Sequence, residues 1–283
     1  MTASAKSAVG KAPDQGTSAF FSAPRFLRLA RAHWAEQRRQ YLGHLLVVGI
    51  LYVVVLLFML TLSSGREFQT WTQQLFYFWG LLLTGFVFAA RYFDAMTRRE
   101  SALLMLMRPA SVFEKWLLCV LVVGVLYPLG YSVLYLAISW PVQHIVLAIG
   151  ALYPPTGGFS AADHALFLPL WPSDGASAAL LARQQMGWFI GLWALQALVV
   201  AGSLYFQRAA MLKTLALGFV LFLATLLIAA LAGASDAVLF AWWLRRPVTS
   251  PASVQILNGV LWLGLPTLLW LQAYLHLRDK ELH

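Results

Sequence analysis

Long apolar runs separated by short charged clusters dominate the chain. Five charge-free windows each hold at least the ~20 residues that a helix needs to cross ~30 Å of hydrocarbon. The runs lack the alternation of a membrane β-barrel, and lipid offers no partner for open backbone groups, so the pattern predicts spanning helices. The windows lie between Arg39 and Arg66, Glu67 and Arg91, Arg183 and Arg208, Lys213 and Asp236, and Arg246 and Arg278.

A sixth window, from Lys115 to Asp163, is nearly long enough for two spans. Pro141 divides it and Pro154-Pro155 closes it, which leaves 12 residues in the segment from Val142 to Tyr153. That length suits an interfacial or re-entrant segment better than a further span, although the sequence leaves all three open. We therefore predict one span in this window and six in the whole chain.

The composition supports a membrane protein. Of the 283 residues, 60% are hydrophobic and only 11% are charged, against about 25% charged in an ordinary soluble domain. A soluble fold of this size could not hide that much apolar surface around one core. The predicted fold is therefore an all-α, polytopic membrane helix bundle.

The basic residues indicate which way the bundle faces. With six spans, sixteen of the 20 Lys and Arg residues fall on the side of the N-terminus and four on the other. A seven-span chain would divide them fifteen to five, so the positive-inside rule fits either count. Both termini are predicted to be cytoplasmic under six spans. The net charge of +9 does not indicate a nucleic-acid partner, because the basic residues form no long run with interleaved aromatics.

Three segments are predicted along the chain. Residues 1–18, rich in Ala, Ser, Gly and Lys, are expected to form a disordered cytoplasmic tail. Residues 19–42 mix aromatic and arginine side chains and are expected to form an amphipathic helix at the headgroup level. That helix would be either a topology anchor or a docking surface for a cytoplasmic partner. Residues 43–283 would form the transmembrane domain.

The loop from Arg91 to Lys115 contains an apolar stretch that is too short to span. Residues Ser101 to Met107 lie between basic flanks, and Pro109 disfavours helix at the residue before it. Ser101 is expected to cap a short cytoplasmic helix that ends by Arg108. Solvent exposure of so many apolar side chains would be costly, so this helix should lie along the membrane or press into a partner protein.

The same loop resembles a known family. Its string LMLMRPAS at residues 104–111, followed by Glu114-Lys115-Trp116, is similar to the "LMLPAS…EKF" loop of bacterial type 2 ABC transporter permeases. Arg108 before the proline departs from that form, and the external segment 141–183 is enlarged. Two further stretches agree: Gly202-Ser203-Leu204-Tyr205-Phe206-Gln207-Arg208 with Leu212-Lys213-Thr214, and Ala273-Tyr274 through Arg278-Asp279-Lys280-Glu281-Leu282.

The resemblance implies a transmembrane permease subunit of a bacterial inner-membrane exporter. Such subunits have six helices, pair as homo- or heterodimers, and are driven by separate cytoplasmic ATPase subunits. ATP and magnesium would bind that partner and no cofactor this chain, which has no GxxxxGK[ST] motif. The amphipathic N-terminal helix and the short loop helix would be the coupling surfaces. The loop residues implied to contact the ATPase are Arg98, Arg99, Glu100, Leu103, Leu104, Met105, Leu106 and Met107.

Residues that could carry chemistry are scarce. No HExxH motif and no paired carboxylates on one helix face are found in the sequence, so no catalytic or metal site is predicted. Asp163-His164 reads as a solvated loop pair rather than a metal or acid–base site. Polar residues within the spans would either line a substrate path or join helices by hydrogen bonds. These residues are Tyr127, Tyr131, Gln196, Ser203 and Asn258.

Two other functions remain open from the residues alone. The chain could be a non-transporting scaffold or regulatory subunit of a membrane complex. A membrane-embedded enzyme acting on lipid is disfavoured, because the sequence offers no cluster of acid, base or metal ligands.

Overall fold

The described part of the chain is helical throughout its regular structure. The computed structural model describes residues 20–63, 68–92, 110–152, 160–171, 178–206, 210–231 and 263–282, and these contain no β-strand. The all-α prediction is confirmed for these residues. Their helices are α1 Ala23–Ser63, α2 Thr70–Tyr92, α3 Val112–Leu121, a π turn Val122–Leu126, α4 Tyr127–Leu152, α5 Ala178–Tyr205, α6 Ala210–Leu231 and α7 Leu265–Leu282.

Four of the described helical stretches are long and apolar enough to cross a membrane. They are Ala23–Thr61, Thr70–Tyr92, Val112–Leu152 and Gln185–Tyr205. Each overlaps a window that the sequence marked as a span, so the coarse prediction of a helical membrane protein holds. The total of six spans stays a prediction.

Helix α1 is one continuous element. Its 41 residues extend about 60 Å at 1.5 Å per residue, twice the thickness of the hydrocarbon core. The boundary predicted between residues 42 and 43 does not coincide with a helix end, and the amphipathic and apolar parts are successive turns of the same helix. Large apolar side chains such as Leu46, Ile50 and Leu57 are more than half exposed along it.

The predicted division of the third span at Pro141 is wrong. Helix α4 continues through Pro141 to Leu152, so most of the 12-residue segment in question extends the same helix. A proline removes one backbone hydrogen bond and usually ends or kinks a helix. Packing on α1 offsets that loss on both sides of the proline. Before it, the Ser139 hydroxyl lies 2.8 Å from the Tyr52 hydroxyl, and after it Val146 packs in a small buried cluster with Leu56.

Successive helices along the chain alternate in direction, with α3 and α4 forming one stretch. Helix α1 runs parallel to α3 and α4, whereas α2 and α5 run the opposite way, and α6 returns antiparallel to α5. Consequently one end of the bundle holds the first residues of α1 and α3. The last residues of α2, α5 and α7 lie at the same end. The contacts that establish these directions are Arg25–Glu114, Tyr52–Ser139, Phe88–Tyr127, Tyr135–Gln73, Phe78–Trp188, Gly202–Thr214 and Tyr205–His276.

The core is aromatic and closely packed. Tyr77, Phe78 and Leu81 of α2 are at most 1% exposed and lie in one buried cluster with tyrosines of α4 and aliphatic residues of α5. Gly80 is required for this packing, because a Cβ there would overlap the hydroxyl of Tyr131. The bundle is therefore held by side chains that interlock at close helix approaches.

Candidate functional site

Glu114 stands at the centre of a junction between the start of α1 and the start of α3. Its side chain is fully buried, although it belongs to the residue types that are almost never buried unless paired. The Nε of Arg25 donates to Oε2 at 2.7 Å and to Oε1 at 3.0 Å. The backbone N–H groups of Ser22 and Ser111 donate to the same carboxylate at 2.8 and 3.1 Å. Both carboxylate oxygens are thus satisfied by groups from two separate parts of the chain.

The local sequence explains why the carboxylate sits there. Ser111 is the N-cap of α3, and its hydroxyl accepts from the Glu114 N–H while the Glu114 side chain accepts from the Ser111 N–H. This reciprocal arrangement is the capping box expected of S-x-x-E at a helix start. The Ser111 hydroxyl also donates to the carbonyl of Phe20 at 2.6 Å. One capping motif therefore both starts α3 and fastens the N-terminal chain to it.

An aromatic contact extends this junction to the C-terminal helix. Phe20 stacks on Phe113 with ring centroids 4.4 Å apart, and Phe113 contacts Trp116 at 5.7 Å. The indole N–H of Trp116 donates to the carbonyl of Trp270 at 2.9 Å, and its ring lies 5.9 Å from that of Tyr274. We call residues 20–25, 111–116 and 270–274 together the N-terminal junction.

A second close contact lies at the same end of the bundle, between α5 and α6. A Cβ at Gly202 would overlap the side chain of Thr214, which is 1% exposed. The Tyr205 ring lies 5.9 Å from His276 of α7, and Lys213 lies 5.5 Å above the ring of Phe206. The end of α5 is thus held by both α6 and α7.

The predicted coupling residues lie outside the described residues. The structure describes the chain up to Tyr92 and again from Ala110, and the sequence between contains all of them. The two helices that flank this loop, α2 and α3, both have their loop-side ends in the half of the bundle that holds the N-terminal junction. The residues concerned are Arg98, Arg99, Glu100, Leu103, Leu104, Met105, Leu106 and Met107.

Of the predicted substrate-path residues, Tyr127 and Tyr131 lie in the interior of the chain. Both are 3% exposed. Tyr127 stacks on Phe88 at 4.3 Å and its hydroxyl is 3.5 Å from Nε2 of His44. Tyr131 lies 5.4 Å from Tyr77 and against Gly80. These contacts are helix packing within one subunit.

Gln196 and Ser203 make hydrogen bonds to backbone carbonyls. Gln196 is fully buried and its Nε2 donates to the carbonyl of Val123 at 2.9 Å. Ser203 donates to Val200 within its own helix at 2.8 Å. For Gln196 this is the helix-joining alternative that the sequence left open. Asn258 lies outside the described residues.

Gln73 anchors the opposite end of the bundle. Its Oε1 accepts from the N–H of Phe167 at 3.1 Å and from the hydroxyl of Tyr135 at 3.4 Å. Its Nε2 donates to the carbonyls of Ala165 and Phe68 at 3.2 and 3.3 Å. These bonds hold residues 160–171, which we call the cap segment.

The cap segment also inserts an aromatic ring into the core. Phe167 is 5% exposed and lies 5.6 Å from Tyr77 and 5.9 Å from Phe78. Asp163 is exposed and His164 is buried, with Nδ1 of His164 2.9 Å from the carbonyl of Ser160. Within the described ranges no group of three His, Cys, Asp or Glu side chains could hold a metal ion.

A groove with a volume of about 230 Å³ lies between α3–α4 and α5. Gly124, Pro128, Trp193 and Gln196 line it together with apolar side chains of α5. A smaller space of about 60 Å³ lies between α1 and the end of α2, beside Tyr41, His44 and Arg91. Neither contains the paired acids or nucleophile–base contact that a catalytic site needs.

Sequence reasoning had missed the roles of Glu114, Gln73 and the Gln196–Val123 bond. The S-x-x-E pattern at residues 111–114 was a usable signal for the first. The bonds from Gln73 to the cap segment and from Gln196 to Val123 join residues more than 60 positions apart, and no local sequence pattern indicates them.

In comparisons with known proteins, no family model, curated protein or solved structure matched this chain.

Proposed function

We propose that the chain is the transmembrane permease subunit of a bacterial ABC exporter that moves an unidentified substrate. ATP and magnesium would bind a separate cytoplasmic ATPase subunit. A second permease subunit, identical or different, would complete the pore. On this proposal the chain lies in the inner membrane with six spans and with both termini in the cytoplasm.

The meeting of distant segments at the N-terminal junction is the observation that carries this proposal. The stretches that resemble the permease family are residues 104–116, 202–214 and 273–282, and the structure describes residues 110–116, 202–206, 210–214 and 273–282 of them. In the structure, Trp116 contacts Trp270 and Tyr274, and the end of α5 contacts α6 and α7. The described parts of the three stretches therefore lie towards one end of the bundle, the end at which α2 stops at Tyr92 and α3 starts at Val112.

The junction is suited to passing a movement from the loop between α2 and α3 into the helices. The loop joins the end of α2 to Ala110, and α3 begins two residues later. Because Glu114 binds Ser22, Arg25 and Ser111 together, a displacement of the α3 start pulls on α1 as well. A buried charge left without its partners is costly, so the carboxylate keeps these segments moving as a unit. Rigid elements of this kind are what transmits a domain movement.

Affinity purification tests the proposal. The tagged chain is extracted from its native membrane in mild detergent, and the bound proteins are examined for a Walker-type ATPase. We expect such an ATPase in a fixed ratio to the chain. Replacing Leu104 and Leu106 with Asp should release it while membrane insertion is retained, because two charges would face an apolar contact. The pair Leu104→Met and Leu106→Met is the matched control, since it keeps volume and apolarity.

The outcomes separate the two main hypotheses. An ATPase that is lost with the Asp pair and kept with the Met pair supports the permease. Unchanged binding with the Asp pair would exclude the loop as the coupling surface. Purification of other membrane proteins without any ATPase would favour the scaffold subunit instead.

A further inference from the structure

The π turn at Val122–Leu126 interrupts an otherwise continuous helix from Val112 to Leu152. In this turn the Tyr127 N–H donates to the carbonyl of Val122, five residues back rather than four. Pro128 follows directly and has no N–H to donate. Single π turns inside α-helices are rare and frequently occur at functional sites.

The register of this turn decides which carbonyl is left without a partner in its own helix. In an α register, Tyr127 would bond to Val123, and Pro128 would leave the carbonyl of Gly124 unpaired. In the observed π register Tyr127 bonds to Val122, so the carbonyl of Val123 faces the missing N–H of Pro128 instead. The Val123 carbonyl therefore has a helical donor in the α register and none in the π register.

Gln196 meets the free carbonyl in the π register. Its Nε2 donates to Val123 at 2.9 Å from the facing helix α5. Gln196 is fully buried, and its Oε1 has no hydrogen-bond partner in the part of the chain that the structure describes. A buried amide whose oxygen has no donor costs free energy. The bond from Nε2 offsets this cost, because without it the Val123 carbonyl would be a buried acceptor with no donor. The neighbouring Trp193 lies 3.6 Å from the position of a Cβ on Gly124, which is ordinary van der Waals contact, and both residues line the groove between α3–α4 and α5.

We propose that the π turn is a register switch and that Gln196 is the positioning residue that holds it in the π register. A change to the α register would turn residues 112–121 by about 100° and shift them by about 1.5 Å relative to α4. Glu114 would leave Arg25, and Trp116 would leave the carbonyl of Trp270. Gln196 at one end and the N-terminal junction at the other thus hold the same short helix. This inference concerns the helix itself and stands whether or not an ATPase binds the chain.

The chain contains one cysteine, and its position makes the switch measurable. Cys119 lies on α3 and is fully buried. Rotation of α3 by about 100° would carry its thiol out of the present packing. The test is the rate at which N-ethylmaleimide alkylates Cys119 in the full-length, detergent-purified protein, followed by mass spectrometry.

Gln196→Leu should raise the alkylation rate by about tenfold, because the Val123 carbonyl loses its donor and the π register loses its advantage. Gln185→Leu is the matched control: Gln185 is also a buried glutamine of α5 with one bond to a backbone group, from Leu170. It lies away from the π turn and should change the rate by less than about twofold. If Gln196→Leu does not fold, Gln196→Asn, whose amide is one methylene shorter, replaces it.

The deciding comparison measures the effect of Gln196→Leu in a chain that also carries Pro128→Ala. An alanine at this position supplies the missing N–H, so Gln196→Leu in this background should add no more than about twofold to the alkylation rate. An effect of Gln196→Leu that persists undiminished in the Pro128→Ala background would overturn the proposal. So would an equal rise in Gln185→Leu, or a Cys119 that stays as unreactive in the Gln196 variants as in the unchanged protein.

Discussion

The two ends of the bundle are fastened by different chemistry. At the N-terminal junction a fully buried carboxylate accepts from a guanidinium and two backbone N–H groups, and it joins α1 to α3. At the other end the neutral amide of Gln73 bonds to the backbone of the cap segment, and an uncharged ring, Phe167, fills the core. The first end depends on a charge and the second does not.

This difference bears on what each end can do. A buried carboxylate is costly to leave without donors, so Glu114 keeps the two helices that supply its donors moving together. Neutral bonds to a loop backbone can be exchanged for bonds to water at a small net cost. The N-terminal junction is therefore suited to transmitting displacement, and the cap segment is suited to sealing the helix ends.

The largest effect is expected from Glu114→Ala. The change leaves the Arg25 guanidinium and the N–H groups of Ser22 and Ser111 without their acceptor, and it removes half of the capping box. Because the Arg25 side chain is 29% exposed and can bind water instead, the cost comes mainly from the two N–H groups and the lost cap. We expect a loss of about 3 kcal/mol in the free energy of unfolding in detergent, measured as a lowered Tm. Amides at residues 22–28 should exchange hydrogen faster while the cap segment is unchanged.

Glu36→Ala is the control for this variant, because Glu36 lies exposed on the same helix. Its effect should stay within about 0.5 kcal/mol. If Glu114→Ala loosened the cap segment as much as residues 22–28, the two ends would not be independent and the comparison would fail.

Gln73→Leu is expected to have a smaller effect, located at the opposite end of the bundle. The variant leaves the Phe167 N–H without its acceptor and removes one of the two donors to the Ala165 carbonyl, which the Thr70 hydroxyl also bonds at 2.8 Å. We expect a loss of about 2 kcal/mol. Hydrogen exchange should rise in residues 160–171 and not in residues 22–28. Gln74→Leu is the matched control, since the Nε2 of Gln74 is buried with no hydrogen-bond partner among the described residues. A loss in Gln74→Leu equal to that in Gln73→Leu would show that the bonds to the cap segment contribute nothing specific.

The sequence predicted the helices better than the contacts between them. Uniform apolar runs between charges set where helices lie, because lipid leaves the backbone no alternative. The same uniformity hides which residues meet, and α5 for example carries no clear apolar stripe. The break predicted at Pro141 failed because a local rule was outweighed by packing of Ser139 and Val146 on α1.

The candidate site was predictable only where its signal is local. The capping box of Ser111 and Glu114 can be read from four residues. The ion pair of Glu114 with Arg25 joins residues 89 positions apart, and the local sequence does not indicate it. Tyr127 and Tyr131 were named as possible path residues because they are polar groups in a span. Whether such residues are buried depends on the face of the helix that they occupy. Both are only 3% exposed, but the sequence around them is apolar on every face and therefore does not indicate which face is buried.

The smallest effect is expected at the edge of the N-terminal junction, from Trp116→Phe. The phenyl ring keeps the contacts with Phe113 and Tyr274 but loses the indole N–H that donates to Trp270. That carbonyl belongs to a residue inside α7, so it retains its helical partner and the loss should be only about 1 kcal/mol. Hydrogen exchange should rise around residues 270–274 and remain unchanged around Arg25, because the ion pair does not pass through the indole. Trp79→Phe, a half-exposed tryptophan of α2, is the control and should change neither region. Faster exchange at residues 22–28 in Trp116→Phe would instead show that α7 and α1 are fastened to α3 as one unit, with the aromatic contacts and the carboxylate acting together.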